Sequence, residues 1–551
     1  MKRLMVYFCE TMGIRISKRG TEHTPSIIDT KYSLEARHSF YPIDSYCEAP
    51  FEAEVFIHGL IDQEIAKVIS QIINSGFERN CINNAIETLH GDYSIIVRSG
   101  EGILAFCSLE STLPLFFKDE DNTLVVSSDH MCIVKDVKES LSVHGVARAV
   151  FGDSVFPFSG INLLNAGEYL LVHTDRQYAL SLGKVQAALP PCMAAKNNKS
   201  FEDIVAVFQR RFSRSLYELV KGANRIGLLL SGGIDSSLIA WYLRQLSCDV
   251  VLYTWSGPSF PQTDEWNDAH LVAEITEFPH KRVMIDNDAL FEHIFLYSHI
   301  DIPFFHNYSG AWLVSCEQMA RDGIDIVLSG YGASQFEAPQ YSLAHTIRQL
   351  PIKEKCAEIV HALANPYQIP RDILYKRQQK DEAIPFLRNI DFFTESNIDL
   401  IQNTNHDLPV CPLQEYIQEK NLFIPTGIRC LHPYHTQPII ELAASIPESC
   451  KTRMFMGQQV NKLVLRTAML GKLPDRIVRK TYPAAMSALI QKKTAKWFQM
   501  HSAIKELEPL IDLGIVDALR LKTVINNTKL TMANAQALHT SLLFSYWYRT
   551  K

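Results

Sequence analysis

The chain has 551 residues, and 54 Lys+Arg against 60 Asp+Glu leave a formal charge of −6. At roughly 150 residues per domain this length makes about two to four domains, and 47% hydrophobic with 21% charged residues argues against wholesale disorder. The mildly acidic balance argues against a dedicated nucleic-acid binder, which would normally carry a basic excess.

The opening MKRLMVYFCETMG has only about six apolar residues before Glu10, too few for the apolar region of a signal peptide. From there to about residue 190, short β-type runs alternate with turn residues: FEAEVFIHG (51–59), DYSIIVRSG (92–100), GILAFCSLE (102–110), NTLVVSSD (122–129) and GEYLLVHTD (167–175). These predict hairpins of an antiparallel sheet. EIAKVISQIINSGF (64–77) interrupts them with helical spacing and a stop at Gly76. Around 185–200 the Pro-Pro and polar stretch reads as a linker. Beyond it, helices alternate with apolar strands at 225–230, 249–255, 281–285 and 325–329, the pattern of a doubly wound parallel sheet. The chain past about 340 reads as mostly helical. Its most apolar run, Ile226 to Leu243, is interrupted by Asp235 and a glycine pair, so no membrane span is expected. Twelve cysteines scattered from Cys9 to Cys450 without a C-x-x-C pair imply reduced thiols and a cytoplasmic protein.

The most informative string is RIGLLLSGGIDSSLIAWYL (225–243). A strand ends at Leu230, a turn of Ser231, Gly232 and Gly233 follows, and a helix begins near Asp235 and Ser236. The glycines let the backbone approach a ligand closely. Successive N–H groups and the helix N-terminus make an anion cradle, to which Ser231, Ser236 and Ser237 add hydroxyl donors. Asp235 beside a phosphate is repulsive unless a cation lies between them, which makes it a candidate Mg²⁺ ligand. The plain alternative is a strand–turn–helix with Asp235 or Ser236 as N-cap.

SGGIDSS resembles the pyrophosphate loop of the ATP pyrophosphatases, in a setting similar to the asparagine synthetase superfamily. That resemblance implies an N-terminal glutaminase-like (Ntn-type) β-rich sandwich over 1–190 and an ATP-dependent synthetase domain over 200–551. It further implies adenylation of a carboxylate with ATP and Mg²⁺, release of pyrophosphate, and attack by an amine. Asp264 and Glu265 with Ala269 resemble the family's D-E-x-x-x-A element, although helix-start carboxylates are favoured by the dipole in any case. Asp301-Ile302-Pro303 and DIVLSGYG (325–332) resemble the approach to its second glycine turn, which adds Gly330 to the nucleotide-binding set. Tyr253 to Trp255 fall where adenine usually rests.

Glutamine-using members expose a cysteine after the removed initiator Met; here that residue is Lys2, and Cys9 and Cys47 cannot replace a nucleophile whose base is the terminal amine. No glutaminase activity is expected, so the amine is supplied directly, as in the β-lactam synthetases and the lasso-peptide macrolactam synthetases. Tyr331 stands where β-lactam synthetases place a Tyr that relays the amine's proton; it could equally cover a pocket wall with its ring. The usual second Mg²⁺ ligand is replaced by Ser334 and the Glu after it by Gln335, with Glu337 as a substitute from the next turn. LPDRIVRKTYPAAM (473–486) resembles the segment that sets Arg479 and Lys480 beside the substrate, where Lys480 would stabilise the oxyanion; a solvated basic cluster with Arg476 is the alternative. LHPYHTQPIIELAASIPES (431–449) and 454–474 are similar in texture to the lasso-peptide cyclases. The expectation is a lasso-peptide cyclase with a precursor peptide and a leader-processing protease as partners, and neither nucleic acid nor membrane. A β-lactam-synthetase-like or asparagine-synthetase-like small-molecule amide ligase and a catalytically silent nucleotide- or peptide-binding protein are the other readings.

Overall fold

The structure is a computed structural model that describes residues 2–11, 13–17, 26–27, 31–32, 47–49, 53–59, 65–89, 91–100, 102–109, 111, 113–120, 123–134, 136–150, 156–173, 180–185, 200–257, 265–285, 309–337, 356, 360, 387, 416–455, 458–480, 487–526 and 530–551. The expected linker, Asp264, and Asp301 to Pro303 lie outside these residues.

The first part forms strands β1 (Lys2–Thr11), β2 (Gly13–Ser17), β3 (Ser26–Ile27), β4 (Lys31–Tyr32), β5 (Cys47–Ala49), β6 (Ala53–Gly59), β7 (Tyr93–Ser99), β8 (Gly102–Cys107), β9 (Leu115–Glu120), β10 (Thr123–Ser127), β11 (Asn162–Leu164), β12 (Glu168–His173) and β13 (Leu180–Lys184). An eight-stranded sheet runs β13-β12-β8-β7-β6-β1-β4 with β5 on β1, and a five-stranded sheet runs β11-β9-β10-β2-β3. Period-two alternation explains how the layers meet. On β8, Ile103, Ala105 and Cys107 face Leu115, Phe117, Leu124 and Val126 of the second sheet. Leu104 and Phe106 face the other way, against Ile69, Ile72, Ile82 and Ile86 on helices Ile65–Asn74 and Arg79–Thr88. Every residue of β8 is therefore buried.

Ser200 opens the second part. Its hydroxyl accepts from the Asp203 N–H, and the Asp203 carboxylate accepts from the Ser200 N–H, a capping box that starts the helix Phe201–Val220. Strands β14 (Ile226–Leu229), β15 (Val250–Ser256), β16 (His280–Met284), β17 (Ile326–Leu328) and β18 (Arg429–Leu431) form one parallel sheet in the order β16-β15-β14-β17-β18. The winding reverses between β14 and β17, so the carboxyl ends of those two strands open a crevice. A β19 (Thr452–Phe455) and β20 (Gln458–Asn461) hairpin and helices follow, ending with Met532–Thr550. No helix among the described residues is long and apolar enough to cross a membrane.

One face of the parallel sheet buries Leu228 and Leu252 against Phe208, Phe212 and Leu216 of helix Phe201–Val220. The other face shares a core with both ends of the chain: Val251 and Val327 belong to one apolar cluster with Phe116, Val146, Val150 and Phe158, and with Leu538, Leu542 and Phe544 of the last helix. The Thr540 hydroxyl donates to the Val150 carbonyl at 2.7 Å, and His130 Nδ1 meets the Tyr416 hydroxyl at 3.0 Å. The sheets are separate, but the core between them is continuous.

Candidate active site

The turn after β14 has the geometry that its residues call for. Gly232 has φ +64°, and a Cβ there would come within 2.6 Å of Asp268 Cβ and 2.7 Å of the Ala269 nitrogen. Only glycine fits this left-handed, crowded position. Gly233 caps the helix Ile234–Gln245 without a side-chain bond, so neither Asp235 nor Ser236 is spent as N-cap. The Ser236 hydroxyl accepts from the Ser231 N–H at 3.2 Å and lies 3.3 Å from the Ser231 hydroxyl, which accepts from the Gly233 N–H at 3.3 Å. The Ser237 hydroxyl is buried without a partner. From the neighbouring strand end, Gly330 closes on the loop: a Cβ there would meet Asp235 Cβ at 3.1 Å and the Ser236 nitrogen at 3.3 Å. The turn and the first turn of its helix are thus set against β17's exit, at the crevice.

Asp235 is the electrostatic centre. One carboxylate oxygen, Oδ2, accepts from Lys462 Nζ at 2.6 Å, while Oδ1 is buried with no partner. Burial pushes this carboxyl above its ordinary range, and Lys462 opposes the push. Lys462 also reaches Glu337 at 3.0 Å. Burial would lower the lysine, but the two carboxylates outweigh it and hold the ammonium charged. The Tyr434 hydroxyl donates to the Asp235 carbonyl at 2.9 Å, fixing the backbone beneath. An orphaned carboxylate oxygen beside a glycine anion cradle suits Mg²⁺, which takes one or two carboxylates and completes its shell with waters and phosphate oxygens.

Lys480 arrives from the opposite wall. Its Nζ lies 2.9 Å from Asp268 and 3.5 Å from Glu265, and Arg476 meets the same Asp268 at 2.6 Å. Since Asp268 touches Gly232, the Lys480 ammonium stands beside the glycine turn. Arg479 does not join it: its side chain is 74% exposed and pairs with Asp475 at 3.1 Å. Arg466 spans both lysine-bearing segments, donating to the Asn461 carbonyl at 2.8 Å and the Val478 carbonyl at 2.6 Å.

After β17, Tyr331 is 39% exposed, with its ring edge-on to His432 at 5.5 Å and to His435 at 5.1 Å. His435 occupies the space that a Cβ on Gly332 would need, 2.3 Å from its Cδ2. The Ser329 hydroxyl joins the group, 2.8 Å from His432 Nδ1 and accepting from the Tyr331 N–H at 3.3 Å. Tyr331 therefore sits among imidazoles. Ser334 is exposed. Gln335 is buried and structural, its amide donating to the Tyr434 carbonyl at 3.3 Å and its own carbonyl accepting from Lys451 at 2.9 Å. Glu337 reaches the site through Lys462.

The adenine expectation at β15 needs correction. Tyr253 is fully buried in the far core, donating to Asp322 at 2.7 Å, and Trp255 on the same face donates to Ser315 at 2.8 Å. Strand alternation turns both away from the loop. Thr254 faces it instead, its hydroxyl donating to the Leu230 carbonyl at 2.6 Å.

Sequence reasoning missed Lys462 and Asp268. Lys462 carries a structural signal, φ +62° in a non-glycine residue ahead of helix Leu463–Met469. Strained backbone of this kind, about 1–3 kcal/mol, persists where surrounding structure over-determines it.

The asparagine synthase family model matches residues 208–380. The chain is 22% identical over 298 residues to a Methanocaldococcus jannaschii protein assigned as a glutamine-hydrolysing asparagine synthetase, covering 52% of this chain and 51% of that one. It is 23% identical to asparagine synthetase 2 of Bacillus subtilis over 45% of this chain and 36% of that one. It is also 24% identical to the microcin J25-processing protein McjC of Escherichia coli, over 33% of each. At best the chain spans about half the length of these relatives. Asparagine synthetases are ATP-dependent carbon–nitrogen ligases that form AMP and pyrophosphate and work with Mg²⁺. The glycine turn, Asp235 and the crevice between β14 and β17 all fall inside the segment that the asparagine synthase family model matches.

Proposed function

We propose that the chain is an ATP- and Mg²⁺-dependent ligase that adenylates a side-chain carboxylate of a ribosomal peptide and closes a macrolactam on the peptide's own N-terminal amine. The observation that carries this reading is the buried, partnerless Oδ1 of Asp235 beside the Gly232 cradle, with two lysines converging on the same turn. The similarity to a microcin-processing protein supports the peptide substrate.

In this reading the loop N–H groups and the Ser231, Ser236 and Ser237 hydroxyls hold the pyrophosphate portion of ATP. Asp235 would hold Mg²⁺, which supplies charge neutralisation between the phosphates when bound. The carboxylate oxygen attacks the α-phosphorus and pyrophosphate leaves. The amine then attacks the acyl carbon, AMP leaves, and the amine proton passes through the hydroxyl of the partly exposed Tyr331 to solvent water. Lys480 stabilises the negative charge that develops. Enclosing both peptide groups in one cavity supplies much of the acceleration. The N-terminal sandwich is a glutaminase-like domain without glutaminase activity, the protein works in the cytoplasm, and a leader-processing protease delivers the substrate.

ATP–pyrophosphate exchange tests this directly. Exchange that requires a precursor peptide and vanishes in Asp235→Ala supports it; exchange with small carboxylic acids alone would transfer the reading to a β-lactam-type ligase. A second reading draws on Ser334, exposed where a second metal ligand is usual. A catalytically silent protein would bind ATP tightly and exchange nothing. Glutamine hydrolysis by the purified chain would refute the view of the N-terminal part.

A further inference from the structure

We propose that a groove behind the loop helix binds an acidic peptide segment bearing an aromatic side chain. The groove, about 660 Å³, lies between helix Phe201–Val220, the far end of helix Ile234–Gln245 and Lys472. Arg210, Arg214 and Tyr217 project into it from one face of the first helix, at the spacing that stacks side chains over successive turns. Trp241 and Tyr242 come from the second helix.

Three features set it apart from an ordinary basic surface. No Asp or Glu lines it, although the whole chain is net acidic. Among the described residues no carboxylate pairs with Arg210, Arg214 or Lys472, whereas their neighbours are used: Arg211 donates to the Pro438 carbonyl and Arg244 to Glu277. Burial pulls Lys472 below its ordinary range with no anion to offset it. Finally, Tyr242 is only 6% exposed, and its hydroxyl has no partner.

Guanidinium forks match carboxylates bidentately, so the missing partners are carboxylates. The exposed Tyr217 ring and the half-buried Trp241 ring offer faces to a planar side chain. Because the groove lies open to solvent, it suits a chain segment running through it; a small molecule would be mostly enclosed. The groove takes its lining from Trp241 to Gln245 of helix Ile234–Gln245, which at 1.5 Å per residue places it about 12–18 Å from the glycine turn. The site is separate from the nucleotide loop and stands whether or not the ligase reading does.

The test uses the full chain and a short rhodamine-labelled synthetic peptide of Asp and Glu around one Trp, followed by fluorescence anisotropy. A control peptide has Asn and Gln in place of the acids. The acidic peptide should bind, the control should not, and added salt should weaken the binding. Arg210→Gln with Arg214→Gln should weaken it about tenfold, since exposed pairs are each worth up to about 1 kcal/mol. Both side chains are exposed, so the melting temperature and ATP binding should stay unchanged. Equal binding of the control, indifference to the double substitution, or full displacement by inorganic phosphate or single-stranded DNA would each overturn the proposal.

Discussion

Lys462 bridges two carboxylates, Asp235 and Glu337. Replacing it with Met leaves them facing each other, and an uncompensated partly buried charge costs about 1–3 kcal/mol. Lys462→Met should therefore lower the urea midpoint, and adding Glu337→Gln should restore part of the loss. At Gly232, a methyl group meets Asp268 and the Ala269 backbone in a left-handed conformation. Gly232→Ala should abolish ATP binding, measured by calorimetry, while Gly323→Ala, with open space around it, should keep it. These residues differ in how readable they are. The turn's chemistry lies in consecutive letters from Ser231 to Ser237, so its spacing was legible. The Lys462–Asp235 contact bridges 227 positions, and only the fold brings them together.

At the scale of elements, the site depends on segments being held in register. Arg466 is the tie, since one guanidinium binds the carbonyls of Asn461 and Val478 and so fixes the approach of both Lys462 and Lys480. Arg466→Met should lower exchange activity about tenfold or more, with the loss seen chiefly in kcat and the glycine loop still able to bind nucleotide. Four of the five strands of the parallel sheet were legible because four apolar runs recur between helices; β18, only three residues long, lies in a stretch that reads as mostly helical. Which face Tyr253 takes was not legible: an apolar run buried on both sides has no polar alternation to say so. Strands β6, β7, β8, β10 and β12 were legible from alternation, and Gly76, with φ +66°, ends its helix where the periodicity stops.

Across the whole molecule, the shared core makes the two sheets one stability problem. His130 is fully buried where they meet, and burial holds it well below its ordinary range, with Lys420 adding to the effect. It is neutral when folded at neutral pH, whereas the unfolded chain takes up a proton below about pH 6.5. Its contribution is therefore complete above that pH and is lost as pH falls, by about 1.4 kcal/mol per unit. His280, pulled down to about 4 mainly by burial, acts in the same direction. Urea midpoints taken between about pH 7.5 and 5.5 should fall with pH, less steeply in His130→Phe. None of this was legible beforehand. The linker composition pointed to a division near residue 190, while the contact between His130 and Tyr416 spans 286 positions.

The bond from Thr540 to the Val150 carbonyl closes a gap of 390 residues. At roughly 5–20 residues per second on the ribosome, the first sandwich waits about 20–80 seconds for the helix that covers it. Through that interval Val146 and Val150 lack the cover of the last helix on a nascent chain. Synthesis speed and chaperone capture thus become determinants of yield, and a fragment that stops short of the last helix leaves the ribosome with that face of the Val143–Val150 helix uncovered.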